Sequence, residues 1–196
     1  MKAPAPSGPS GARFRFRSPA GAAILAGAIL LLVSAGGFLR NLATRAPETL
    51  PDLGPAGAFS AVGADGRRWK NADLAGTIWI ADAITKDCSG CVVRNLRMTD
   101  LQTALARAKA VVLVTFVEDP VLAASGKLAE LERAFGAIPG RWTFLRGTMP
   151  APAERFLLVD AEGRVRAAVA ESDPAVSSKL LDAVGDLLRE KTGRRP

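Results

Sequence analysis

From residue 57 onward the hydrophobic and polar positions switch between two periods, and each switch marks an element. Phe59-Ser60-Ala61-Val62 and Arg67-Arg68-Trp69 flank Asp65-Gly66, the signature of a β-hairpin with a tight turn. Asn71 to Gly76 reads as a short connecting turn, and Thr77 to Ala83 (TIWIADA) has the composition of a buried strand. Val92 to Lys109 follows a helical period that places Val93, Leu96, Leu101, Leu105 and neighbouring alanines on one stripe. Val111 to Phe116 (VVLVTF) is almost continuously apolar, as in a strand covered on both faces. Lys127 to Phe135 is again helical and closes on Gly136, a residue type suited to the left-handed position after a helix. Trp142 to Leu145, Arg155 to Val159 and a segment around Val165 to Ala168 are three further strands, the last two joined by Ala161-Glu162-Gly163. Asp173 as N-cap and Pro174 at the first helical position open a final helix. It runs to about Lys191 and is expected to bury Leu180, Leu181, Val184, Leu187 and Leu188.

Strands alternating with helices predict an α/β domain, a partly parallel central sheet with helices on both faces and an N-terminal hairpin. Upstream the pattern is different. Ala20 to Phe38 holds no charged residue, and as a helix it would span about 29 Å, close to the hydrocarbon thickness of a bilayer. A transmembrane helix over residues 19–39 is therefore expected. Arg13, Arg15 and Arg17 stand just ahead of it, so the arm of residues 1–18 should stay cytoplasmic and the rest should face the periplasm. This makes the chain a single-pass protein of the inner membrane. A cleaved signal peptide ending near Val33-Ser34-Ala35 is the competing reading. Residues 40–56 contain three prolines and read as an extended linker, residues 57–192 form the domain, and 193–196 are a tail.

Composition narrows the chemistry. The formal charge is +7, but residues 1–40 carry Lys2, Arg13, Arg15, Arg17 and Arg40 without a single acid, and beyond them the two signs nearly balance. No basic face interleaved with aromatics is present, so no nucleic-acid partner is expected. Histidine is absent, which removes Ser-His-Asp and Cys-His catalysis and every His-ligated metal site. The two cysteines, Cys88 and Cys91, are spaced CxxC within Lys86-Asp87-Cys88-Ser89-Gly90-Cys91, directly after the buried strand and at the start of a helix. There the free N–H groups and the helix dipole favour a thiolate. Cys88, the earlier sulfur, is the candidate nucleophile and Cys91 the candidate resolving thiol. Lys86 would favour the thiolate and Asp87 oppose it. An inert disulfide stapling the helix start and a zinc site shared between two chains are the other uses of such a pair. A redox pair at a strand-to-helix junction in this element order points to the thioredoxin architecture. Thr85 alone does not supply the Arg and Thr or Ser set of a peroxidatic cysteine.

The stretches FSAVGADGRRWKNADLAGTIWIADAITKDCSGC, TFVEDP, FGAIPGRWTFLRG and RFLLVDAEGRVRA together resemble the Sco/SenC family, over about two-thirds of the chain. Members of that family are membrane-tethered thioredoxin-like proteins that help assemble the copper centre of cytochrome oxidase. The resemblance has three departures. The family spaces its cysteines CxxxC, whereas here the spacing is CxxC. The family's copper-ligand histidine falls at Pro152, and the stretch between the tryptophan strand and that position is short, as if a helix were missing. The family's two-cysteine, one-histidine copper site therefore cannot be built. Pro152, or alternatively Pro150, is placed where thioredoxins pack a cis-proline beside the dithiol; a loop proline in trans is the equal alternative. Met149 could supply a thioether that, with Cys88 and Cys91, makes a soft Cu(I) site; a loop methionine packed on the domain edge is its ordinary use. Met98 reads as helical core or surface.

Three functions follow as expectations. The first is a membrane-anchored thiol–disulfide oxidoreductase using Cys88, Cys91 and Pro152, with no required cofactor. Its partner would be a protein client bearing a disulfide or copper-site cysteines. The second is a Cu(I) carrier built on Cys88, Cys91 and Met149. The third is an assembly factor that acts through its surface, its dithiol vestigial.

Overall fold

The computed structural model describes residues 50–86, 90–124 and 126–191. The arm, the candidate membrane helix, the linker before Leu50 and the tail lie outside them, as do Asp87, Cys88 and Ser89. Among the described residues no helix is long and apolar enough to cross a membrane.

Seven strands form one mixed sheet. In chain order they are β1 (Ser60–Gly63), β2 (Arg68–Lys70), β3 (Ile78–Ile84), β4 (Val111–Val117), β5 (Trp142–Arg146), β6 (Arg155–Val159) and β7 (Val165–Ala170). Three α-helices accompany them: α1 (Cys91–Ala104), α2 (Lys127–Ala134) and α3 (Val176–Lys191), with a 3-10 turn at Asn71–Leu74. The strand order is β2-β1-β5-β4-β3-β6-β7. Strands β3, β4 and β5 are parallel, in the register Ile80↔Leu113 and Leu113↔Trp142. The outer strands β1, β2, β6 and β7 all pair antiparallel with their neighbours.

The hairpin turns where expected: Gly66 adopts φ +79°, which an L side chain resists, and Arg67 N–H is held by the Asp65 carboxylate at 2.9 Å. Helix α2 closes at Gly136, whose φ is +67°. At the head of α3 the Asp173 carboxylate accepts from Ala175 N–H at 2.8 Å, as a cap does, although the helix itself starts at Val176.

The layering differs from expectation. Alternation along β3 sends Ile78, Ile80 and Ile84 to one face and Trp79, Ala81 and Ala83 to the other. The first face carries Met98, Leu101, Leu128, Leu180 and Leu187, so α1, α2 and α3 all pack on that side. No α-helix residue joins the core of the second face, which is closed by Phe59, Leu74 and Met149 over Phe116, Leu145, Leu157 and Val159. The reason is topological. The crossovers β3–α1–β4 and β4–α2–β5 step the same way across the sheet, and right-handed crossovers in one direction put their helices on one face. A helix between β5 and β6 would return to the other side, but residues 147–154 hold none.

Two further expectations are corrected. Val93 and Leu96 do not face the core; they are 56% and 54% exposed, and α1 instead buries Cys91, Arg94, Asn95, Met98, Leu101 and Gln102. The helix is turned so that its first residue, Cys91, looks inward, which carries Arg94 and Asn95 in with it. The final part of the linker is also docked. Leu53 N–H donates to Val165 O and Ala56 N–H to Gly163 O, both at 2.9 Å, and Arg166 binds the carbonyls of Leu50 and Pro51. Residues 53–56 lie against residues 163–165, at the start of β7 and just ahead of it.

Candidate functional site

The site sits at the C-terminal end of β3, where a seven-residue buried strand runs into the first turn of α1. Gly90 is the N-cap and Cys91 the first helical residue. Cys91 is buried and disulfide-bonded; the chain's other cysteine, Cys88, lies outside the described residues. The Cys91 sulfur approaches the Ala83 carbonyl oxygen at 3.7 Å, so the end of β3 packs directly against it.

Beneath Cys91 the apolar face of the sheet carries a polar cluster. Asp82, wholly buried in β3, accepts from Thr115 Oγ1 at 2.6 Å, and that hydroxyl in turn accepts from Trp142 Nε1 at 2.9 Å. Burial pushes the Asp82 carboxyl up to about 7, against the opposing pull of the Thr115 hydrogen bond and the Arg94 charge. Arg94, one helical turn after Cys91, is buried as well. Its Nη1 donates to Ala83 O at 2.5 Å and to Ala153 O at 2.6 Å, and its Nη2 pairs with Glu171. Burial lowers the guanidinium pKa while Asp82 and Glu154 raise it; an arginine stays charged through such changes. Asn95 Nδ2 binds the Cys91 carbonyl at 2.9 Å. Asp82 Oδ2, Arg94 Nε and Asn95 Oδ1 are buried without a protein partner, so every such atom among the described residues belongs to this cluster.

The sequence-derived site residues fare differently. Arg94 draws the segment that holds Pro152 to the dithiol helix through the Ala153 carbonyl. Pro152 itself is exposed, and no cis peptide bond occurs among the described residues, so the cis-proline expectation fails for Pro152 and Pro150 alike. The trans form is the lower-energy isomer of an X–Pro bond. Met149 is 3% exposed in the core of the second face, with its N–H held by Glu118 Oε1 at 2.8 Å. Cys91 packs with the first face, so the sheet stands between the two sulfurs. Met149 does not complete a thiolate–thioether set with Cys91. The described residues hold no cluster of three or more Cys, Asp or Glu able to hold a metal ion.

Asp82 and Arg94 were missed at the sequence level. An acidic residue inside the otherwise apolar strand IWIADAI was the available signal for Asp82. Arg94 had none, because an arginine in the first turns of a helix ordinarily faces water.

A buried disulfide-bonded cysteine at the junction of a central parallel strand and a helix, with the helix start over the sheet's C-terminal edge, defines the thioredoxin-like class. Comparison with known proteins gives the same class. No protein-family model matches the chain, and no curated protein matches it by sequence. Among solved structures it is similar to a SCO1/SenC family lipoprotein from Bacillus anthracis, at TM-score 0.58 and 21% identity over 70% of this chain and 97% of that one. It is similar to Arabidopsis thaliana ScoI with copper bound, at TM-score 0.57 and 16% identity over 70% and 99%. A thiol:disulfide interchange protein of the thioredoxin family from Chlorobium tepidum matches at TM-score 0.51 and 18% identity over 68% and 95%. At these identities the likeness is one of fold.

Proposed function

We propose that the protein is a membrane-anchored thiol–disulfide oxidoreductase of Sco/SenC type, its domain in the periplasm, acting on the cysteine pair of a protein client. The observation that carries this reading is Cys91, disulfide-bonded at the head of α1 over a buried carboxyl and a buried guanidinium. A disulfide serving only as a staple has no use for that polar cluster, whose burial is costly. In the reaction the Cys88 thiolate attacks one sulfur of a client disulfide. A mixed disulfide forms, and the other client sulfur leaves as a thiolate. The Cys91 thiolate then attacks the Cys88 sulfur, which releases the reduced client and leaves Cys88 and Cys91 joined. Two electrons pass from this protein to the client, and the reverse sequence oxidises a client dithiol. The cysteines of a respiratory copper site are the client class that the Sco likeness favours.

The second reading, a Cu(I) carrier, is favoured by the copper-bound Sco neighbour. The residues fit it poorly: histidine is absent, and Met149 packs in the core of the sheet face opposite to that of Cys91. Copper would be cargo here.

Equilibration of the purified protein in glutathione buffers, followed by thiol alkylation, tests the first reading. The wild type should interconvert between dithiol and disulfide. Cys91→Ser should accumulate a mixed disulfide with glutathione, and Cys88→Ser should form none. A Cys88–Cys91 bond that no glutathione buffer reduces would make the pair a staple and overturn the proposal.

A further inference from the structure

We infer that Arg94 is the fixed cation that sets the reduction potential of the dithiol, with Glu171 as its partial counterweight; this rests on the oxidoreductase reading. Two contacts carry it. The Ala83 carbonyl oxygen lies 3.7 Å from the Cys91 sulfur and 2.5 Å from Arg94 Nη1, so the guanidinium is at most about 6 Å from the sulfur. Arg94's side chain is 3% exposed, so water screens that charge weakly. The disulfide is neutral, whereas reduction leaves two thiols, one of which ionises readily beside a cation. A buried positive charge therefore stabilises the reduced pair over the disulfide and makes the protein more oxidising.

The geometry also explains why the charge stays in place. Arg94 is held from three directions, by the end of β3 at Ala83, by the 147–154 segment at Ala153 and by Glu171 beyond β7. Arg97 binds the Glu171 carbonyl and fixes that residue in turn. The Glu171 carboxylate, about a third exposed, also lies close over Gly90, the residue before Cys91. It is thus the anion paired with the cation, and it lies beside the residue that precedes Cys91. Arg94 is a positioning residue in this scheme, acting on the sulfur through the field and never touching a client.

The test is the equilibrium constant for the exchange in which two glutathione thiols reduce the protein disulfide, yielding the dithiol and one glutathione disulfide. Arg94→Met should lower that constant by tenfold or more, which is about 30 mV towards the reducing side. Arg94→Lys, which keeps the charge and loses the fork, should recover most of the change. Glu171→Gln should move the constant the opposite way, upward by severalfold, because it removes the counterweight. A merely structural clamp predicts no rescue by lysine and no sign reversal. Should Arg94→Met fail to fold, Arg94→Lys against Glu171→Gln still reads the sign. If the wild type cycles but Glu171→Gln lowers the constant, or Arg94→Met leaves it within twofold, this inference is wrong and the oxidoreductase stands. If the wild type does not cycle, both fall.

Discussion

Asp82 is the residue whose cost is plainest. A carboxyl with an ordinary value of 3.8 is held at about 7 by burial. A raised folded-state value means that the native state binds the proton more tightly than the unfolded chain. Its stability is therefore full below the unfolded value and is lost as the pH climbs towards 7. Asp82→Asn removes that dependence while keeping an acceptor for Thr115. Denaturant titrations at pH 5 and pH 8 should show the variant gaining on the wild type by roughly 2–3 kcal/mol across that interval. An unchanged difference would mean that Asp82 is ionised throughout. Comparing the two proteins cancels the surface carboxylates Asp52, Asp73 and Asp173, whose values are lowered and whose pH dependence runs the other way.

At the scale of elements, most of the boundaries were readable in the pattern and the rotation of one helix was not. Strand β6 begins and ends where the sequence placed it, and β4 differs by one residue. Helix α1 has a stripe of Val93, Leu96, Leu101 and Leu105 by spacing, but the cysteine decides which side faces in, and Val93 and Leu96 end up in water. Leu96→Gln should change the unfolding free energy by less than about 0.5 kcal/mol. On the second sheet face Phe59, with Leu74 and Met149, does what a helix would otherwise do. Phe59 meets Phe116 edge-on at 5.1 Å and Trp79 at 6.2 Å. Phe59→Ala should therefore cost about 3 kcal/mol or more in the same assay. A loss below 1 kcal/mol would show that this face is closed by something else.

Over the whole molecule, topology governs which sulfurs can meet. Three helices on one face leave the 147–154 segment to close the other, and Met149 enters the core there, away from Cys91. Met149→Leu is nearly volume-conserving, so it should leave Cu(I) competition titrations unchanged and cost less than about 1.5 kcal/mol of stability. A large loss of Cu(I) affinity in that variant would return the carrier reading to first place. The amino-acid sequence by itself determined the α/β class, the order of the elements, the dithiol at the strand–helix junction and the impossibility of a histidine-ligated metal. Those properties depend on local period, on spacing and on which residue types exist in the chain. Only the tertiary structure decided the face on which each helix lies, the burial of Asp82 and Arg94 under Cys91 and the separation of Met149 from it. These depend on crossover direction and on contacts such as Arg94 to Ala153 and Glu171, which join residues far apart in the chain and leave no periodic trace in it.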